Sequence, residues 1–304
     1  MFSFLSKIIK IGNKALVTSV LLTLLVCVKS QAAGVEDVFN HRYDNFNQLL
    51  TQVVKVSDDK KQTRVKYQQL ANNNVALEAV LSTFSAVSKS QFDDWSESQQ
   101  LSFLINAYNG FTLKLIVDNW HEFKQGDAKS IRDLGSFFSS PWEKEFFTLF
   151  DKTHNLDDIE HEMIRKWFKE PRIHGALVCA AVSCPPLRNE AFRADQLNSQ
   201  LDSQMQLFLA DGSRNEIIID GQQIEASLSS IFMWYREDFE KGDKGFNSLY
   251  DVLSVYSDAL IPSLSTTNQA DSSNAQMQRQ IIKKGNYPIS FKEYDWRLND
   301  VANF

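Results

Sequence analysis

The sequence predicts a mostly helical α+β single domain with a small, mainly antiparallel sheet. Three observations carry this. Several long segments place apolar residues at helical spacing, and Asp220-Gly221 is a strong two-residue hairpin signal between extended runs. Core material is ample, with 22 Phe, 8 Tyr and 6 Trp in 304 residues. No repeat of fixed period appears.

The N-terminus reads as a targeting segment. Lys7, Lys10 and Lys14 form a basic leader, residues 15–28 are largely apolar, and Ser30-Gln-Ala32 offers small residues at the spacing a signal peptidase reads. The apolar run falls short of the roughly 20 residues a bilayer-spanning helix takes. Residues 1–32 are therefore expected to be a cleavable signal peptide, with a retained anchor as the alternative. Cleavage removes Lys7, Lys10, Lys14 and Lys29 and no acid, so the formal charge moves from −6 to −10. An acidic, periplasmic or secreted protein is poorly suited to nucleic acid, which is bound by neutralising phosphates with Lys and Arg. No later stretch is apolar enough to anchor the mature chain.

The mature elements follow in order. An N-terminal helical region is expected over 33–95, with a stripe through Phe46, Leu49, Leu50 and Val53, an extended piece at Arg64–Tyr67, and a second helix over 74–87. A core domain spans 96–264. It opens on a helix with Ser96 as N-cap and Gln99 completing a capping box, apolar on most sides through Ile116. Residues 130–142 read as loop and 145–150 as strand. Asn155 caps a helix over 156–169 that Pro171 ends. A helix over 194–209, the hairpin around Asp220-Gly221, an aromatic segment through Phe239 and a helix over 248–260 complete the core. Residues 265–280 are polar and expected to form an exposed loop. The tail, 281–304, carries Tyr294 and Trp296 and is expected to pack back onto the core.

Several strings resemble the family catalogued as domain of unknown function 547: Leu104-Ile-Asn-Ala-Tyr-Asn109, Leu156-Asp-Asp-Ile-Glu-His161, Arg172-Ile-His174, Ser183-Cys-Pro-Pro-Leu187, Ile231-Phe-Met-Trp-Tyr-Arg-Glu-Asp-Phe239 and Tyr294-Asp-Trp-Arg-Leu-Asn299. The resemblance covers essentially everything after residue 60. It implies one domain and no reaction, because the family has no assigned activity. Where its pattern often has an aromatic residue after the histidine, this chain has Gly175, which is expected to widen the space beside His174.

The chemistry concentrates in residues 172–187, which hold His174, Cys179 and Cys184. One reading is nucleophilic catalysis. Cys184, exposed by the Pro185-Pro186 turn, would be the nucleophile and His174 its base, Asn106 or Asn109 the orienting amide, and Glu160 a support for the imidazole. A histidine facing a long buried helix resembles papain-like folds by analogy, although there the nucleophile caps the helix. A second reading is a Cys179–Cys184 disulfide, which an exported chain invites. A third is zinc held by both cysteines and His174 with His161 or Glu160, at a spacing that matches no common motif. Asn106 and Asn109 equally fit a plainer role, tying down a neighbouring loop. An acid in the first turn of a helix is favoured by the helix dipole alone, so Glu160 needs no catalytic explanation. The expected function is a cysteine-type hydrolase or acyltransferase acting on an amide or thioester. The alternative is a non-catalytic binding or scaffolding domain. Either takes a small-molecule or peptide-like ligand, and no cofactor is expected.

Overall fold

The element that organises the chain is the helix Glu97–Asp118. Ser96 Oγ accepts the Gln99 N–H at 3.4 Å while Gln99 Oε1 accepts the Ser96 N–H at 3.0 Å, so the expected capping box forms. Every residue from Leu101 to Leu113 is buried, so this helix is enclosed rather than amphipathic. Gly110 permits the close approach of the helix Val75–Ser85, since a Cβ there would lie 3.0 Å from Leu81 Cδ2. The structure, a computed structural model, describes residues 39–136, 139–220, 223–261 and 269–303. The expected leader, the tip of the Asp220-Gly221 turn and the Pro262 helix stop lie wholly or partly outside these residues.

Around the central helix, the N-terminal stripe forms the helix Asp44–Val53. It ends one residue before Val54–Val56, whose β-branched valines pair antiparallel with Thr63–Val65 instead of continuing the helix. The extended piece stops there, and Tyr67–Asn72 is helical. Phe147–Leu149 pairs antiparallel with Lys152–His154. The largest sheet has three strands. Glu216–Asp220 and Gln223–Ser229 form the expected hairpin with Asp220 opposite Gln223, and Ile289–Lys292 joins Gln223–Ser229 in parallel.

A parallel pair needs a crossover connection. Here the crossover includes the short helices Ile231–Trp234 and Arg236–Glu240 and returns through Gln269–Lys284. It builds an apolar cluster in which Phe232, Phe239, Leu253 and Ile282 join Met205, Phe208 and Leu209 of the helix Leu197–Ala210. Residues 269–280 are therefore helix where an exposed loop was expected. Ala275 and Ile282, two turns apart, are buried on one side, and Gln, Arg, Met and Lys on the others are good helix formers. Polarity there marks a solvated helix face.

The tail pairs with the rest of the chain through its backbone. Val182 and Ser183 donate to the carbonyls of Arg297 and Asp295, Asn299 donates to Ala180, and Val65 donates to Asn299. Among the described residues no helix is long and apolar enough to cross a membrane.

Candidate functional site

The preceding helix ends at Trp167, with Phe168 extended, and Pro171 takes the first position of the 3-10 turn Pro171–Gly175 that carries His174. His174 is 3% exposed, and its ring lies flat on Tyr235, 3.8 Å between centroids. Its Nε2 is 2.8 Å from Asp238 Oδ2. The same carboxylate accepts from Arg165 Nε at 2.6 Å and Lys241 Nζ at 2.6 Å. Burial alone would raise the Asp238 pKa, but the bonds from His174, Arg165 and Lys241 hold it well below the usual carboxylate range. An ionised carboxylate can only accept, so Nε2 carries the proton and Nδ1 keeps its lone pair. Burial pushes the imidazole below its ordinary value, against the opposing pull of Asp238, so the ring is neutral near pH 7.

At the hydroxyl end of Tyr235 stands Glu160. Asn155 Oδ1 accepts the Asp158 N–H at 2.8 Å, the expected helix start. The helix then widens into a π-helical stretch, Asp158–Ile164, a form that recurs at functional sites. Glu160 and His161 sit in that stretch. Tyr235 donates its hydroxyl to Glu160 Oε1 at 2.5 Å, and Tyr108 from the central helix lines the same pocket. Burial first, and Glu160 second, push both phenols far above their ordinary value, so they stay protonated donors. Burial also raises the Asp157 carboxyl, one turn earlier.

These groups share a pocket of about 180 Å³ with Trp142, Trp234, Trp296, Tyr294 and Cys179. Trp234 stacks on Trp296 at 5.7 Å and Trp142 meets Trp296 edge-on at 6.0 Å, so one wall is an aromatic cluster. Cys179 and Cys184 form a disulfide. Cys184 is 1% exposed, with its sulfur turned away from solvent. The Tyr294 hydroxyl lies 3.2 Å from Cys179 Sγ and 3.3 Å from Cys184 Sγ.

This geometry revises the sequence reading residue by residue. With its sulfur in the disulfide, Cys184 has no thiolate to act as nucleophile, and Pro185 and Pro186 are buried rather than exposing it. Asn106 is buried and exchanges two hydrogen bonds with the Phe192 backbone, at 2.8 and 2.9 Å. Asn109 does the same with the Ala176 carbonyl and the Val178 N–H, both at 3.0 Å. Both amides tie down loops, and neither bonds to His174. Asp238, with Arg165, orients the imidazole in the place expected for an asparagine or Glu160. Gly175 opens no space beside His174, because a Cβ there would meet Met205 Sδ at 2.7 Å. Zinc is also disfavoured by the donor set: both sulfurs are bonded to each other, and among the described residues no three His, Cys, Asp or Glu side chains converge as a metal site.

Residues missed by sequence reasoning are Asp238, Tyr235, Arg165 and Tyr108. Tyr235 and Asp238 stood inside the noted string Ile231–Phe239, where an acidic pair, Glu237-Asp238, among aromatics was the available signal.

Residues 92–209 match the family described as protein of unknown function, DUF547. The match is narrower than the resemblance expected after residue 60. It includes Tyr108, Glu160, His174 and both cysteines and stops before Trp234, Tyr235 and Tyr294, so the matched segment supplies only part of the pocket. No curated protein and no solved structure matches the chain.

Proposed function

We propose that this chain is an exported, non-catalytic binding domain whose pocket takes the amine-bearing group of a small, peptide-like molecule. One observation carries the reading: Trp142, Trp234, Trp296 and Tyr235 wall the same cavity that Asp157 and Glu160 enter. An ammonium gains twice there, from the aromatic faces and from charge-assisted hydrogen bonds to a carboxylate. At about 180 Å³ the cavity is smaller than the roughly 300–1,000 Å³ of drug-sized sites. It suits one side chain or one chain terminus. Export is supported by the leader-like N-terminus and by a disulfide, which persists in oxidising compartments.

The pocket tryptophans provide the readout. Titration with cadaverine should change their fluorescence saturably, and Glu160→Gln should weaken the apparent affinity about tenfold, the worth of one charge-assisted bond. An equal response to doubly N-acetylated cadaverine would refute amine recognition.

The His174–Asp238 contact favours a second reading, a cysteine-type hydrolase or acyltransferase acting on an amide or thioester. A base is oriented, but a nucleophile appears only when the disulfide opens. Turnover of an aryl thioester by reduced and not by oxidised protein would support it; no turnover in either state would eliminate it.

A further inference from the structure

We propose that Cys179–Cys184 is an exchange-active disulfide, attacked by a small thiol at Cys179 with Cys184 as the leaving thiolate. The two sulfurs differ in the ways this chemistry needs. Cys179 is half-buried and lines the pocket, and its Sγ lies 3.2 Å from the hydroxyl of Tyr294, another lining residue, which sets it on the side a small thiol would reach. Cys184 is buried.

Cys184 Sγ is surrounded by donors. It accepts the Cys179 N–H at 3.0 Å and the Ala181 N–H at 3.4 Å, with the Tyr294 hydroxyl at 3.3 Å. Ala180, between the two amides, is left-handed at φ 62°, which turns the N–H groups on either side of it toward one point. A non-glycine residue adopts this conformation only against a steric penalty, so the surroundings must hold it.

The tail holds it. Ala180 accepts from Asn299, Val182 donates to Arg297 and Ser183 donates to Asp295. Arg214 donates to the Val182 carbonyl at 2.7 Å. None of these bonds runs through the S–S link, so the donors stay in place after it opens.

The reaction balances as ordinary thiol–disulfide exchange. The lone pair of an incoming thiolate forms a bond to Cys179 Sγ. The Cys179–Cys184 bond breaks, and its electron pair passes to Cys184 Sγ, where the two N–H groups and the Tyr294 hydroxyl stabilise the charge. A second thiolate then attacks the entering sulfur of the mixed disulfide, releasing a small disulfide and the Cys179 thiolate. The thiols are oxidised and the protein disulfide is reduced. In the reverse direction, a small disulfide is reduced as Cys179–Cys184 closes.

The test uses native oxidised protein and limiting 2-mercaptoethanol, quenched by acid and then alkylated. Tandem mass spectrometry of the tryptic peptide spanning residues 173–188 locates the adduct. The expected product carries the mercaptoethanol disulfide on Cys179 and the alkyl group on Cys184. An adduct on Cys184, or none until denaturant is added, would overturn the proposal. Tyr294→Phe should slow adduct formation about tenfold, the effect of one hydrogen bond to a charged sulfur, and an unchanged rate in a folded variant would count against it equally. Should that variant not fold, the position of the adduct in the native protein decides alone.

Discussion

Sixty-four residues apart in sequence, His174 and Asp238 meet at 2.8 Å, and the carboxylate they share with Arg165 and Lys241 is 7% exposed. Asp238→Asn keeps the shape and removes the charge, leaving two cations and an N–H facing a neutral amide. Breaking a buried pair costs roughly 3–5 kcal/mol. Because Arg165 and Lys241 both reach solvent, the low end, about 3 kcal/mol, is expected. Urea unfolding followed by tryptophan fluorescence measures it, and a loss under about 1 kcal/mol would mean the cluster behaves as a surface network.

The same pair sets a pH dependence. Burial holds the folded-state pKa of His174 below its ordinary 6.5, so between the two values the unfolded chain binds more protons than the folded one. Stability is then full above pH 6.5 and falls as pH drops through that value. Asp238 adds a further loss as pH falls below the ordinary 3.8, since its folded pKa is lower still. His41, also lowered by burial, contributes with the same sign as His174, so the variant is the informative comparison. His174→Gln should flatten the decline in urea midpoint between pH 7 and pH 5. A slope identical to the parent would show that His174 does not carry the effect.

What was legible in the sequence was local. The Ser96–Gln99 capping box, the Asn155 helix start and the hairpin pairing Asp220 with Gln223 each depend on residues within a few positions of one another. The pocket depends on contacts across the crossover: Tyr235 reaches Glu160 over 75 residues and Tyr294 reaches Cys184 over 110. No short-range pattern encodes those distances. The asparagines show a different limit, because a buried amide must be satisfied whether it serves a loop or a substrate, and Asn106 and Asn109 carry no mark in sequence that says which. The helix Gln269–Lys284 shows a third, since a run of polar helix formers has the composition of a loop.

Asn106→Ala separates the loop role from a site role. It strips both partners from the buried Phe192 backbone, and each unsatisfied group costs about 1–3 kcal/mol. A loss of about 2–4 kcal/mol is expected, with the cadaverine affinity unchanged because Asn106 does not line the pocket. A variant that keeps its stability but loses amine binding would return Asn106 to the site.

Gly175 and Met205 offer a test of packing beside the His174 segment. A Cβ on residue 175 would sit 2.7 Å from Met205 Sδ and 3.4 Å from its Cγ, too close for the present rotamer. The obstacle is a flexible thioether, which moves more readily than backbone. Gly175→Ala is therefore expected to cost about 1 kcal/mol, the low end for overpacking. Met205, fully buried, should cost about 2–5 kcal/mol when cut to Ala because a cavity remains. In the double variant the new methyl occupies part of that cavity, so the two losses should fall short of additive by about 0.5–1 kcal/mol. Urea midpoints of the four proteins close the cycle. Strict additivity would show that the added methyl displaces His174 and its Asp238 partner rather than the methionine, and the pH dependence of Gly175→Ala would then differ from that of the parent.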